Sequence, residues 1–360
     1  MSFGHVFVAM SGGVDSSVAA VLLQQAGYQL SGVNLRMFHN EDLGESLSRT
    51  CCSLTDAEDA ALVARRLGFP FYVFDFAQTF RDTVIRNFIE EYQQGRTPNP
   101  CAECNRSVKF GALLHRIRTL GGDYMATGHY ARVEWDEVSG RYLLKRGKDH
   151  SKDQSYFLYM LTQEELAHTL FPLGSMEKPE VRRIAEAHGL VNAKKRDSQD
   201  ICFVPDGKYA DFIERTTGQP SAPGPFLDQE GRVLGLHKGI IRYTKGQHKG
   251  LGLSTEAPLY VLEKDVAANA IRLGPDSALW SRTLTAERMN WISIPELAEP
   301  LAITVKTRYT QREAAAVAEP LAGGHIRVTF EEPQRAITAG QAVVLYDGDT
   351  VVGGGTICET

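Results

Sequence analysis

Two groups of residues in this chain have the types and spacing for chemistry: a Ser/Gly loop close to the start, Ser11-Gly12-Gly13-Val14-Asp15-Ser16-Ser17, and the cysteines Cys101, Cys104 and Cys202. In the loop, Gly12 and Gly13 let backbone amides come close to an anion. A helix that starts beside Val14 aims its partial positive charge at the same place, so pyrophosphate is the natural guest. Ser11, Ser16 and Ser17 add hydroxyls, and Asp15 stands where a carboxylate can hold Mg²⁺ against phosphates. No GxxxxGK[ST] occurs anywhere, so the lysine of the Walker-type loop is missing. The plain alternative, a turn that merely joins two elements, is disfavoured by the apolar strand before it and the helical pattern after it.

Cys104 lies in TPNPCAECN, where Pro98 and Pro100 imply an extended loop and SVKFGALLHRI resumes a helical pattern. This places Cys104 at a helix N-terminus with Lys109 about one turn on, a setting that lowers a thiol pKa and suits a nucleophile or sulfur carrier. Cys202, in RDSQDICFVPDG, is about a hundred positions away and acts with Cys104 only if the fold unites them. Cys101 and Cys104 also make a CxxC, which suits a redox pair or part of a metal site; a zinc ribbon would need a second CxxC, and none is present. For Cys51, Cys52 and Cys358 the expectation is a small buried hydrophobe.

The elements that must position these groups are legible in outline. Val6–Met10 reads as a strand, Val14, Val18, Val21 and Leu22 recur at helical spacing up to Gly27, and Leu30–Met37 is the next strand. A helix from Thr55 with Glu58 as capping box, a strand Phe71–Phe74, a helix from about Thr79 to Gly95, a helix after Cys104 and a strand Tyr124–Thr127 follow. Strands alternating with helices predict a doubly wound parallel sheet, an α/β fold whose ligands bind at the carboxyl ends of its strands. TGQPSAPG (Thr217–Gly224) breaks the pattern. Beyond about Leu279, short alternating stretches with Asp347-Gly348 as a hairpin turn predict a small antiparallel β-barrel. The expected division is 1–205, 206–278 and 279–360.

Bulk properties agree with an ordinary globular protein of more than one domain: 360 residues, 43% hydrophobic. A net charge of −5 argues against binding nucleic acid through bulk charge, but basic clusters stand at Lys145–Lys152, Lys194–Arg196, Arg242–Lys249 and Lys306–Arg312. Six cysteines are too few for a disulfide scaffold of this length. No apolar run spans a bilayer and MSFGHVFVAM has no signal-peptide pattern, so a cytoplasmic location is expected.

The Ser/Gly loop resembles the PP-loop of adenylating enzymes that split ATP between its α- and β-phosphates. With PNPCAECN, ATGHYAR (126–132), KDQSYFL (152–158), DSQDICF (197–203) and YTKGQHKGLG (243–252), all in one order, the chain closely resembles the MnmA family of bacterial tRNA-specific 2-thiouridylases. That resemblance implies adenylation of the C2 oxygen of a wobble uridine (position 34), then sulfur transfer from a cysteine persulfide, giving 2-thiouridine, AMP and diphosphate. It assigns Cys104 as nucleophile and Cys202 as the persulfide carrier, with a transient Cys104–Cys202 disulfide. ATP contacts fall on Ala9, Met10, Ser11, Gly12, Gly13, Val14, Asp15, Ser16, Met37 and Gly128. Contacts with the target base fall on Asn99, Pro100 and Cys101, and tRNA contacts on His129, Lys152, Asp153, Gln154, Arg308, Tyr309 and Gln341. It implies tRNAs for Lys, Glu and Gln as substrates, Mg²⁺ with the ATP, and a cysteine desulfurase or relay protein as sulfur donor. Some relatives carry Asp where this chain has Cys101, so an iron–sulfur cluster on Cys101, Cys104 and Cys202 is a rival within the family. Outside it, an ATP-dependent amide ligase or amidotransferase shares the loop without needing paired cysteines, and an RNA-binding or redox-sensing protein would bind tRNA without releasing pyrophosphate.

Overall fold

In the apolar run HVFVA, Val6, Phe7 and Val8 are all buried, the signature of a strand covered on both faces. The computed structural model describes residues 3–38, 54–195, 201–204 and 207–359. Cys51, Cys52 and the Asp197–Asp200 part of DSQDICF therefore lie outside the described residues. The first strand, β1 (His5–Ala9), is the centre of a five-stranded sheet in the order 71–75, 29–36, 5–9, 124–126, 169–170, with every pairing parallel. The chain steps from β1 to one neighbour and later to the other, so the strand order reverses beside β1. At such a switch point a crevice opens at the carboxyl ends of the strands, and residues 11–16 leave β1 there. Helix α1 (Val14–Gln25) follows directly and stops at Gly27, whose φ of +90° suits a glycine.

The expected helix from Thr55 begins one residue earlier, at Leu54, so Thr55 stands in its first turn and not at the cap. The helix expected from Thr79 starts at Ala77, because the Asp75 carboxylate accepts the Ala77 amide at 2.9 Å; it runs to Gln93 through a wider π-helical stretch, Arg81–Ile85.

Residues 224–274 form a separate four-stranded sheet. Downstream, six antiparallel strands (280–291, 301–306, 314–320, 326–335, 342–347 and 350–359) close into a barrel, since the first pairs with the last. The hairpin turn at Asp347-Gly348 is where the sequence predicts it, with Asp347 opposite Thr350. A hairpin of the first domain, Ala131–Asp136 and Arg141–Arg146, adds itself to this barrel through Lys145 and Thr350. Arg146 stacks 4.0 Å over the Tyr346 ring and bonds Glu313, and buried Tyr156 donates to the Ala342 carbonyl at 2.9 Å. The barrel is thereby fixed against the domain that carries the loop. No described helix is long and apolar enough to cross a membrane.

Candidate active site

Peptide oxygens decide which way the loop amides point. Asn192, buried, donates its amide group to the carbonyls of Gly12 (3.0 Å) and Gly13 (3.1 Å) and to Ser17 Oγ (2.9 Å). Lys195 Nζ also reaches the Gly12 carbonyl at 3.3 Å, and Ser16 and Ser17 donate to that of Gly13. A planar trans peptide carries its N–H opposite its C=O. Holding both oxygens from behind therefore turns the Gly13 and Val14 amides outward, into the crevice where helix α1 begins. That is an anion cradle built by side chains 180 residues downstream.

Two glycines make it possible. Gly12 has φ +75°, and a Cβ on it would lie 2.2 Å from the Asp56 carbonyl. A Cβ on Gly128 would lie 2.7 Å from the Ser16 amide, so the strand end at Ala126 can approach helix α1 only with glycine there.

Asp15 does not stand open for a metal. Lys178 Nζ donates to both its oxygens (2.7 and 2.8 Å) and Tyr130 Oη to one (2.9 Å), with Lys178 itself buried. A carboxylate already matched to an ammonium ion offers little to Mg²⁺, which corrects the expectation of a magnesium ligand at this residue. Asp15 instead ties α1 to the helix Lys178–Ala187.

Cys104 departs from its expected setting. The helix starts at Pro100, with Asn99 as its N-cap accepting the Ala102 amide at 3.2 Å and Pro100 in the first turn. Cys104 is thus a turn inside, followed by a π-helical stretch Asn105–Leu113. Its thiol is buried and donates to Met37 Sδ at 3.7 Å. Burial pushes this thiol up to about 11; Lys109 pulls the other way and loses. The lowered pKa read from the sequence is overturned because desolvation outweighs one partly buried cation.

Cys101 is exposed and Cys202 half-buried. Phe203, next to Cys202, packs edge-on against Phe80 (5.6 Å) and Phe88 (5.1 Å). The helix they belong to also packs against Pro100–Cys104, so Cys104 and Cys202 border the same element. Among the described residues Cys101, Cys104 and Cys202 do not gather their sulfur atoms within 4.8 Å of one another. These three thiols are thus not gathered around a single-ion site among the described residues.

The remaining predicted contacts separate. His129 packs between Phe110 (6.0 Å, tilted) and Phe171 (5.9 Å, edge-on), with Nδ1 2.7 Å from Thr127 Oγ1; burial pulls it well below its ordinary value, so it is neutral and offers phosphate no charge. Asp153 is buried and accepts from Gly147 and Ser155, while Gln154 accepts the Tyr130 amide. Both shape the loop, whereas Lys152 is half-buried. Arg308 donates to the Ala336 carbonyl (2.7 Å) and Thr338 (2.8 Å), and Tyr309 packs on Phe157. Within the basic clusters Arg146, Lys195 and Arg242 are engaged in ion pairs with Glu313, with Asp56 and Asp59, and with Asp211 and Glu214.

Gln341, on the barrel, donates to the Thr97 carbonyl (2.9 Å) and the Pro98 carbonyl (3.0 Å), fixing the segment that enters the Asn99 cap. Gln341→Leu keeps the volume and removes both bonds. With tRNA as the substrate that the resemblance implies, kcat/KM for it is expected to fall about tenfold, as two neutral hydrogen bonds of roughly 0.5–1 kcal/mol each would give. Steady-state kinetics at saturating ATP measure this, and an unchanged value would show that the barrel does not position the loop. Asn192 and Lys178 escaped the sequence reading altogether, and Lys195 was read only as part of a basic cluster, not as a support of the loop. Asn99 as cap was within reach, since Asn followed by Pro is a helix-start signal.

The family model described as "tRNA methyl transferase HUP domain" matches residues 4–206, "tRNA methyl transferase PRC-barrel domain" matches 210–275, and "Aminomethyltransferase beta-barrel domain" matches 281–357. Curated relatives run the full length. The tRNA-specific 2-thiouridylase MnmA of Moorella thermoacetica is 53% identical over 97% of this chain and 98% of its own. Those of Caldanaerobacter subterraneus (MnmA 1) and Acetivibrio thermocellus are 50% and 49% identical, over 98% and 99% of this chain and 97% and 100% of theirs. With identity near one half sustained across all three parts of the fold, the chain belongs to the MnmA family of tRNA-specific 2-thiouridylases.

Proposed function

We propose that this enzyme, an ATP-dependent tRNA-uridine 2-sulfurtransferase, carries out its reaction in two stages on one face of the sheet. In the first, the C2 oxygen of uridine 34 attacks the α-phosphorus of MgATP. Pyrophosphate leaves toward the Gly13 and Val14 amides, and the uridine carries AMP as a good leaving group. In the second, the terminal sulfur of a persulfide on Cys202 attacks C2 and expels AMP. The Cys104 thiolate then attacks the Cys202 sulfur, leaving sulfur on the base as 2-thiouridine and closing a Cys104–Cys202 disulfide. An external thiol reductant must open that disulfide before each new cycle.

The observation that carries this reading is the contact between Cys104 and Met37. Met37 follows the strand Gln29–Arg36, the neighbour of β1 at the crevice, so the nucleophile lies against the same strand ends as the phosphate cradle. The family models are described by methyl transfer; a phosphate cradle beside a buried thiol serves thiolation better. An amide ligase would have no use for that thiol. The magnesium ion arrives with ATP as part of the substrate, since Asp15 is taken by Lys178. Asn99 to Cys101 receive the target base, and Lys152 with the barrel side of the site meets the tRNA backbone. The sulfur donor is a cysteine desulfurase or relay protein, the tRNAs are those for Lys, Glu and Gln, and the work is done in the cytoplasm.

The test is incubation of unmodified tRNA with the protein, ATP, Mg²⁺ and a persulfide source, read by nucleoside mass spectrometry and by pyrophosphate release. 2-Thiouridine at position 34 is expected, with pyrophosphate release that depends on tRNA. Release at the same rate without tRNA, or no thiolated nucleoside, would refute the proposed sequence.

A further inference from the structure

Three metal-ligating side chains far from the loop have no task in this reaction. Glu287, His325 and Cys358, each half-buried, bring a carboxylate oxygen, a ring nitrogen and a sulfur all within 4.8 Å of one another. They belong to neighbouring segments of the barrel: the strand Trp280–Trp291 lies between Ile326–Arg335 on one side and Thr350–Glu359 on the other. Ala286, Ile326 and Ile357 point into the barrel and are fully buried, so by strand alternation the adjacent Glu287, His325 and Cys358 share the outer face. Register shifts flank this point, between Thr285 and Ala286 and between Glu287 and Asn290, and Arg288 takes φ +53°. Bulges re-aim side chains in this way.

The polar contacts these groups make in the protein are weak. Cys358 Sγ lies 3.3 Å from the Thr285 carbonyl, and Glu287 pairs loosely with Arg288 (3.6 Å) and His325 (3.8 Å).

We propose that Glu287, His325 and Cys358 form a binding site for a zinc-class divalent cation, which clips together the strands that close the barrel. One nitrogen, one sulfur and one oxygen suit a borderline ion; Mg²⁺ and Ca²⁺ prefer oxygen donors alone. Metal–ligand distances of about 2.0–2.3 Å need the three atoms to draw together by roughly 1 Å, within reach of side-chain rotation on a rigid sheet. Three protein ligands leave a fourth position for water. Binding needs the thiolate, so it releases a proton and tightens as pH rises.

The full-length protein, stripped with a chelator, is titrated with Co²⁺ as the spectroscopic substitute, and its melting temperature is followed with and without Zn²⁺. We expect a thiolate-to-cobalt charge-transfer band in the unmutated protein, in Cys104→Ser and in Cys202→Ser, and its loss in Cys358→Ser. His325→Ala should weaken cobalt binding at least about tenfold, and Zn²⁺ should raise the melting temperature of the unmutated protein but not of Cys358→Ser. A band that survives in Cys358→Ser, a band that disappears in Cys104→Ser or Cys202→Ser, or no band at all would overturn the assignment.

Discussion

Replacing Cys104 by serine is expected to lower 2-thiouridine formation by on the order of 10⁴-fold or more, while tRNA-dependent pyrophosphate release stays within a few-fold of normal. The two readouts separate because adenylation uses the loop and only the second stage uses sulfur. Cys202→Ser should behave alike, as the persulfide needs its own sulfur atom. Loss of both activities in a folded variant would mean that the thiols also build the nucleotide site; retention of both would remove the sulfurtransfer role. The environment of Cys104 adds a pH signature. With its thiol held up at about 11 by burial, only about one molecule in a thousand carries the thiolate at pH 8. A raised value means the proton leaves only as pH climbs. The single-turnover rate of sulfur transfer should therefore rise about tenfold per pH unit between pH 7 and 9. Lys109 is the cation beside Cys104 that favours the thiolate, so Lys109→Met should shift this profile to higher pH. A rate flat across that range would show that substrate binding remakes the site around Cys104.

How far the sequence revealed this arrangement depended on whether a feature was local. The strand, loop and helix around Ser11–Ser16 were legible because glycine, serine and apolar spacing act within a dozen residues, and the parallel sheet followed from alternating elements, whereas the strand order around β1 came only with the fold. The setting of Cys104 was not legible. Prolines at 98 and 100 suggested an extended loop, whereas Pro100 initiates the helix behind the Asn99 cap, and burial by residues distant in sequence then set the thiol's acidity. The start of the last strand followed from its hairpin turn but its length did not, since Gly353, Gly354 and Gly355 argue locally against a strand. Each is demanded by a neighbour: an added Cβ would lie 2.5 Å from the Asn290 carbonyl, 2.6 Å from the Tyr159 ring and 2.3 Å from Met289 Sδ, in that order. Lys178 is a surface cation by composition, and only the fold turns it into the partner of Asp15.

Asn192 is the residue whose exchange should damage the first stage most. Its amide group is the clamp common to the Gly12 and Gly13 carbonyls and to Ser17, so it fixes the direction of the amides that receive the phosphates. Asn192→Asp changes almost no volume and replaces a donor by a carboxylate facing three oxygen atoms. The loop peptides would then turn away, and negative charge would stand behind the pyrophosphate site. Losing these bonds at about 1 kcal/mol each, with added repulsion in a buried place, amounts to roughly 3–4 kcal/mol, or a 10²–10³-fold fall in kcat/KM for ATP. Lys195 limits the collapse, because it reaches the Gly12 carbonyl independently and is anchored by Asp56 and Asp59. The loss should therefore fall on pyrophosphate release, while a persulfide already loaded on Cys202 stays intact. Asn192→Ala removes the donors without adding charge and should cost less, about 10²-fold, since the three lost bonds alone amount to about 3 kcal/mol. Equal effects of the two variants would mean that Asn192 only fills space behind the loop, and a normal KM and kcat in Asn192→Asp would mean that the amides are aimed by something else.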